Sequence, residues 1–309
     1  MIEENWDNTK LSSWQNCEQQ GWYAHGYQGT GIVSSERSIA LAWGAAFHAM
    51  VEKWCREPEI SYEVYEQEFH KVFISLYDPV KIDILELQKD RHSVANASRL
   101  FREYQSRFPL ELYKTIRVEE PFRLLLGQAG DRLIYWTGIL DRIVQFQERI
   151  YFLELKTSSY RIDEKWAKQF RTSGQLRGYV WAGQQLLGKE FDGAIIHGVE
   201  KGVIPKILSR ARKVSELIGA IGPLEILQGM VDEWKENTLR KITLINQKLE
   251  SNSLLNMNLG DACNAYSFQG CPYRDLCGST PEMRPQIIAE RFRKRRWDPL
   301  AEERSKWVE

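Results

Sequence analysis

The spacing of apolar residues changes along this chain, and each change marks a different kind of element. From Ser38 to Trp54 (SIALAWGAAFHAMVEKW) the chain is rich in good helix formers and closes with Pro58, which predicts a largely buried helix with His48 at its middle. Positions 60–114 mix charged and apolar residues at helical spacing and read as a helical insertion of two or more helices. From Thr115 to Lys156 the pattern turns to short β-rich runs, at Ile116–Phe122, Leu133–Ile139, Ile143–Phe146 and Ile150–Lys156, broken by Gly127, Gly130 and Gly138. These predict a meander of antiparallel strands. A helix over Glu164–Leu187, a strand at Gly193–Val199 and a long amphipathic helix over Pro223–Glu250 follow. The stretch Gly260–Thr280 is turn-rich and holds three cysteines, so it reads as a loop held by ligands. There is no internal repeat.

With 309 residues the chain is long enough to bury a substantial core, and it reads as a single domain over 1–309. Lys plus Arg equals Asp plus Glu at 42 each, so no overall charge announces a polyanionic partner. Any nucleic-acid surface must be local. The most basic run, Arg291-Phe292-Arg293-Lys294-Arg295-Arg296-Trp297, is suited either to phosphate contacts or to a solvated helix end. No apolar run reaches the length of a membrane span and the N-terminus has no signal-like core, so the expected location is the cytoplasm and no membrane partner is expected. Five cysteines, an odd number, argue against a disulfide framework and for metal or cluster ligation.

The candidate chemistry lies in the meander. A two-residue turn at Glu148-Arg149 would pair Val144 with Leu153, Phe146 with Tyr151 and Asp141 with Lys156. Alternation then places Asp141, Glu154 and Lys156 on one face and Val144, Phe146, Tyr151, Leu153 and Leu155 on the other. In that register Asp141 and Glu154 are diagonal neighbours about 7–8 Å apart between the backbones of adjacent strands, close enough for one divalent ion to bridge their side chains. Hard oxygen ligands suit magnesium or manganese. Such an ion polarises a phosphodiester and activates a water, while Lys156 orients that water or neutralises charge developing on the phosphate. The same residues on an ordinary hairpin would form a solvent-facing ladder of ion pairs.

The order Gly44-x-x-x-His48, Gly138-x-x-Asp141, Glu154-x-Lys156, Gln175-x-x-x-Tyr179 resembles the RecB-like branch of the PD-(D/E)xK nuclease superfamily. The resemblance implies an α/β fold with a central mixed β-sheet flanked by helices, a catalytic core over 38–200, helical additions and a C-terminal cysteine cluster. It implies that His48, Asp141 and Glu154, with the carbonyl of Leu155, hold the metal. It makes Lys156 the catalytic lysine, and Gln175 and Tyr179, one helical turn apart, the pair that places the scissile strand. Glu119 or Glu120 stands where relatives often carry another acid. Without the resemblance, His48 reads as a core histidine and the Gln175–Tyr179 pair as a packing face.

The cysteines follow the same resemblance. Cys263-x7-Cys271-x5-Cys277 supplies three ligands, and the segment Leu11–Cys17 is similar to the opening of iron-sulfur members of the branch. That implies a [4Fe-4S] cluster on Cys17, Cys263, Cys271 and Cys277, within metal-cluster segments 1–30 and 255–280, and leaves Cys55 a buried free thiol. Zinc is the alternative, since four thiolates also satisfy a closed tetrahedral site. The first spacing is longer than in the CRISPR-associated and AddB members, and Glu18 stands where those carry a proline.

Eleven Trp and thirteen Tyr supply flat faces, and Trp166 and Trp181 are candidates for stacking on bases. The resemblance implies DNA, preferably single-stranded or with free ends, trimmed by an exonuclease of recombination, repair, phage replication or CRISPR adaptation, with partner proteins of such complexes. No phosphate-cradling G-x-x-x-x-G-K-[ST] loop is present, so the chain reads as a stand-alone nuclease or one subunit of a larger machine. The alternative is a DNA-binding or scaffold subunit without hydrolysis.

Overall fold

A computed structural model describes residues 1–35, 38–77, 91–188, 191–201, 212–251, 253–264 and 270–300. The chain opens on strand β1 (Ile2–Trp6) and helices α1 (Asn8–Asn16) and α2 (Glu18–His25). Asp7 accepts the Lys10 N–H at 2.7 Å and so satisfies one of the donors a helix start leaves free. Strand β2 (Ile32–Ser34) follows. Then come α3 (Ile39–Arg56), α4 (Tyr62–Leu76) and α5 (Val94–Arg107), each formed by an apolar stripe at helical spacing.

The strands β3 (Lys114–Ala129), β4 (Arg132–Phe146) and β5 (Arg149–Ser158) form the meander. They are fewer and longer than the predicted runs. Of the glycines expected to interrupt them only Gly130, at φ 62°, sits in a turn, and β4 passes through Gly138 unbroken. Next are α6 (Glu164–Lys168), α7 (Gly174–Leu187), β6 (Phe191–Glu200), β7 (Ile218–Glu225) and α8 (Gln228–Glu250). The predicted helix over Glu164–Leu187 is therefore two helices, because Ser173 caps a new one by accepting the Leu176 N–H at 3.3 Å. The helix expected from Pro223 begins at Gln228, after a strand whose Gly219, Gly222 and Pro223 mimic a turn. Short helices α9 (Asp261–Asn264), α10 (Arg274–Cys277) and α11 (Arg284–Arg291) and strand β8 (Phe292–Lys294) close the described chain. The result is a mixed α/β architecture with a central mixed sheet flanked by helices. No helix among the described residues is long and apolar enough to cross a membrane.

The chain forms two compact units. The first comprises Met1–Glu36, Pro121–Ile139 and Asp232–Glu309. In it β1 lies parallel to the start of β4, from Ile2 opposite Arg132 to Trp6 opposite Trp136. Trp136 meets Trp234 of α8 edge-on at 5.2 Å. Strands β2 and β8 pair antiparallel. Tyr273 stacks on both Tyr23 and Phe292 and donates its hydroxyl to Ile32 O at 2.6 Å.

The second unit comprises Arg37–Glu120 and Leu140–Val231. Its sheet is mixed: β4 and β5 are antiparallel, β5 and β6 parallel, β6 and β7 antiparallel. One face is covered by α3, α4 and α5 through Trp43, Phe47, Phe69, Phe101 and Tyr104, packed with Leu155 and Val199 of the sheet. His197 is fully buried there, hydrogen-bonded to the Tyr104 hydroxyl at 2.8 Å and the Tyr113 hydroxyl at 3.3 Å. Burial holds its pKa down to about 3.

Candidate active site

The β4–β5 turn sets the site. Gln147 and Glu148 occupy it with φ of 50° and 66°, closed by Phe146 opposite Arg149. Two left-handed residues give the turn a twist that matches the strands. Neither is Asn or Gly, so the sequence carried no turn signal at this point. Val144 consequently faces Tyr151 and not Leu153, a shift of two residues from the expected register. A shift of two preserves the alternation of faces, so Asp141, Glu154 and Lys156 still share one. Continuing the ladder one step past Arg142 and Leu153 brings Asp141 directly across from Glu154, where the sequence suggested a diagonal.

The second unit gathers the expected residues around that pair. Asp141 Oδ2 accepts the Leu155 N–H at 2.9 Å and lies 3.5 Å from His48 Nδ1. Helix α3 can bring His48 this close because Gly44, one turn earlier, has no side chain: a Cβ there would stand 2.8 Å from Thr157 Oγ1 on β5. Lys156 Nζ pairs with Glu154 Oε1. From α7, Gln175 donates to Glu154 Oε1 at 3.2 Å and accepts from Lys156 Nζ at 3.1 Å. Tyr179, a turn later, packs edge-on against Phe152 with ring centres 5.4 Å apart.

Burial, ahead of every neighbouring charge, shapes the protonation of this group. It lifts the Asp141 carboxyl to about 6 despite Lys156 and the Leu155 N–H, and it raises Glu154, with Asp141 adding to the effect. It lowers His48 to about 4, leaving a neutral imidazole able to act as a ligand. Lys156 moves the other way. Burial opposes its charge, but Glu154 and Asp141 outweigh that and hold it protonated.

Two further residues complete the electrostatics. Glu119 sits in β3 with φ 50°, and burial followed by Asp141, Glu52 and Glu154 lifts its pKa to about 9. Of the two acids considered from sequence, Glu119 is the one that feels the carboxylates, whereas Glu120 pairs with Arg117 at 3.4 Å. Arg56, not singled out from the sequence, donates to Glu52 Oε1 and to Val118 O, both at 2.9 Å, and so anchors the strand at the residue before Glu119. The spacing His48, Glu52, Arg56 on one helix face was its visible signal.

The donor set fits a divalent cation: two hard carboxylates, a neutral imidazole and a buried Glu154 Oε2 with no hydrogen-bond partner in the protein. Among the described residues, however, no three His, Cys, Asp or Glu side chains already stand close enough together to hold an ion. Asp141 is instead turned to the Leu155 N–H and Glu154 to Lys156.

In the first unit Cys17, Cys263, Cys271 and Cys277 line one small cavity with Gln20, Leu259 and Tyr273. The Cys271 N–H donates to Cys263 O at 2.8 Å, which fixes two of the four by backbone. Cys55 lies apart from them on α3, half-buried against the aromatic core of the second unit.

The suggested DNA contacts are placed differently. Arg293 and Lys294 belong to β8, Arg295 lies over the Trp297 ring at 4.6 Å, and Arg296 is exposed; this run is in the first unit and the carboxylates are in the second. Trp166 is half-buried, its ring over Gly198 and 4.8 Å from Phe170, and Trp181 is buried.

No curated protein matches the chain. Among solved structures, one titled "Crystal structure of SSO0001" is similar at 14% identity and a TM-score of 0.32, over 74% of this chain and 84% of that one. That likeness is too slight to bear on the site. The profile of the PD-(D/E)XK nuclease superfamily, by contrast, matches residues 8–278, a span that holds all the carboxylates, Lys156, Gln175 and the four clustered cysteines. Over most of its length, therefore, the chain belongs to the PD-(D/E)XK nuclease superfamily.

Proposed function

We propose that this nuclease is a magnesium- or manganese-dependent deoxyribonuclease that shortens DNA from free ends, with a preference for single strands, in recombination, repair, phage DNA processing or CRISPR adaptation. The observation that carries the reading is the linked set of Glu154, Lys156 and Gln175 with Asp141 and His48 beside it. His48, Asp141 and Glu154, with the Leu155 carbonyl, are the residues that would hold the metal. Bound there, the ion supplies a polarised phosphodiester and a water of lowered pKa.

The protein's own groups divide the remaining work. Lys156 stays an ammonium at neutral pH, so it serves as a fixed positive charge for the developing phosphorane and not as a base. Gln175 holds that ammonium and the Glu154 carboxylate through one side-chain amide. Tyr179 fixes the helix on β5 through Phe152. The competing reading, a DNA-binding subunit without hydrolysis, is disfavoured because the Asp141, Glu154 and Lys156 set is complete.

For the cysteines we propose a [4Fe-4S] cluster on Cys17, Cys263, Cys271 and Cys277, with zinc as the alternative occupant. All four line one cavity, which supports a shared ligand, although among the described residues they do not already stand as a metal-holding group. The role is structural, tying residues near both ends of the first unit.

The deciding assay compares linear and circular single- and double-stranded DNA in manganese, using wild type and Lys156→Ala. Linear strands should shorten while circles survive, and the variant should be inactive. Equal hydrolysis by both proteins would refute the site. An absorption spectrum after anaerobic purification separates iron-sulfur, which is coloured, from zinc, which is not.

A further inference from the structure

We propose that a second feature of the catalytic unit, an arginine-lined cleft beside α7, binds the sugar-phosphate backbone of an unpaired DNA strand and guides it toward the carboxylates. This rests on the nuclease reading for where the strand is going. The cleft has a volume of about 800 Å³ and is bounded by the β4–β5 turn, the segment before α7, α7 itself and the end of β7. That volume lies in the range of built ligand sites.

Its chemistry is anion-selective. Arg149, Arg171 and Arg177 line it against a single carboxylate, Glu225, which lies 3.4 Å from Arg149. In a chain whose formal charge is zero, three guanidinium groups facing one acid are a local feature and not a reflection of general basicity. Guanidinium forks match phosphate oxygens. The rest of the lining joins polar Gln147, Tyr151 and Ser173 to an apolar wall that includes Phe170, Leu224 and Met230. An unpaired strand can lay phosphates on the arginines and bases on such a wall, which a duplex with its bases stacked inside cannot do.

Its position favours the same partner, because the cleft and the reaction centre share two elements. Arg177 follows Gln175 by two residues on α7, about 3 Å along the axis and about 200° around it, so the cleft opens on a different side of the same helix. Arg149 precedes Glu154 by five residues on β5, roughly 17 Å of strand. The basic run at Arg293–Arg296 has no such connection, since it lies in the other unit.

The test is equilibrium binding of a fluorescently labelled single-stranded oligonucleotide, in chelator so that nothing is cut, by wild type and by Arg149→Glu/Arg171→Glu. Both arginines are exposed and neither contributes to the carboxylate centre. Kd should rise on the order of tenfold or more, and the slope of log K against log salt should become shallower by about 1.4, from two lost contacts at ~0.7 each. If the charge reversal lowers Tm, Arg149→Gln/Arg171→Gln should give a smaller change of the same sign. An unchanged Kd and slope in either folded variant overturns the proposal. Hydrolysis in manganese, measured on the same proteins, keeps the two readings apart. Arginine-dependent binding without hydrolysis by wild type sustains the cleft and defeats the nuclease reading, and hydrolysis with arginine-independent binding does the reverse.

Discussion

Gln175 donates its side-chain amide to Glu154 at 3.2 Å while accepting from Lys156 at 3.1 Å, so one residue of α7 restrains both catalytic candidates of β5. Removing it should leave the fold intact, because Gln175 is only half-buried, but free the ammonium and the carboxylate to find other geometries. Gln175→Ala should lower the single-turnover rate about 10–100-fold, the usual cost of losing a group that orients a metal ligand. Gln175→Glu should be worse, since it puts a like charge against Glu154 and removes a donor. Wild-type rates in Gln175→Ala would show that the restraint is dispensable.

Gly44 and Thr157 set how closely α3 approaches β5. An added methyl at Gly44 would gain roughly 1 kcal/mol of helix propensity. It would also stand 2.8 Å from Thr157 Oγ1, a conflict of the kind that costs about 1–3 kcal/mol in a packed interior. Gly44→Ala should therefore be net destabilising and should move His48 away from Asp141, lowering hydrolysis more than Tm. Thr157→Ala, in the same chain, should restore much of both. If Gly44→Ala alone raises Tm with full activity, the contact does not limit the helix.

The parts of this site legible in the sequence are those fixed by alternation and period. Strand parity placed Asp141, Glu154 and Lys156 together even though the predicted turn was off by one residue, because the resulting two-residue slip returns every side chain to its face. Helix period likewise placed Gln175 and Tyr179 on one face. What stayed hidden depends on tertiary approach. Glu119 reaches the carboxylates through a left-handed residue inside a strand, and nothing in the local sequence requires that conformation. Strands β1 and β7 were missed for a related reason: their pairing with β4 and β6 is long-range, while their own residues, acidic in one case and rich in Gly and Pro in the other, have low β propensity.

His197 predicts that the second unit is acid-labile. Its ordinary pKa of 6.5 applies to the unfolded chain, whereas burial holds it near 3 in the fold. Between those values the unfolded state binds the extra proton, so stability falls as pH falls, by up to ~1.4 kcal/mol per pH unit from this one group. Above about 6.5 it contributes no slope. His197→Gln should be less stable than wild type at neutral pH, having lost part of the bonding to Tyr104 and Tyr113, yet should lose stability more slowly on acidification. Urea unfolding at a series of pH values reads both effects, and an acid slope equal to wild type would mean that His197 is not held neutral.

The cysteine cavity makes a prediction that distinguishes its members from the remaining thiol. Burial, then Cys17, Cys271 and Cys263 in turn, push the Cys277 thiol up to about 11, so four thiolates at this spot would be costly without a cation among them. On the proposed cluster, metal binding and folding of the first unit would be coupled, because the four cysteines come from α2's start and from the α9–α10 region, far apart in sequence. Cys17→Ser and Cys271→Ser should each lose bound metal and lower Tm by several degrees before any change in the chemistry of the carboxylate centre. Cys55→Ser, on α3, should keep full metal content and spectrum. Retention of metal by Cys17→Ser, or its loss in Cys55→Ser, would reassign the fourth ligand. A folded Cys271→Ser protein that keeps its Tm and loses only hydrolysis would instead show that the cavity serves the reaction and not the fold.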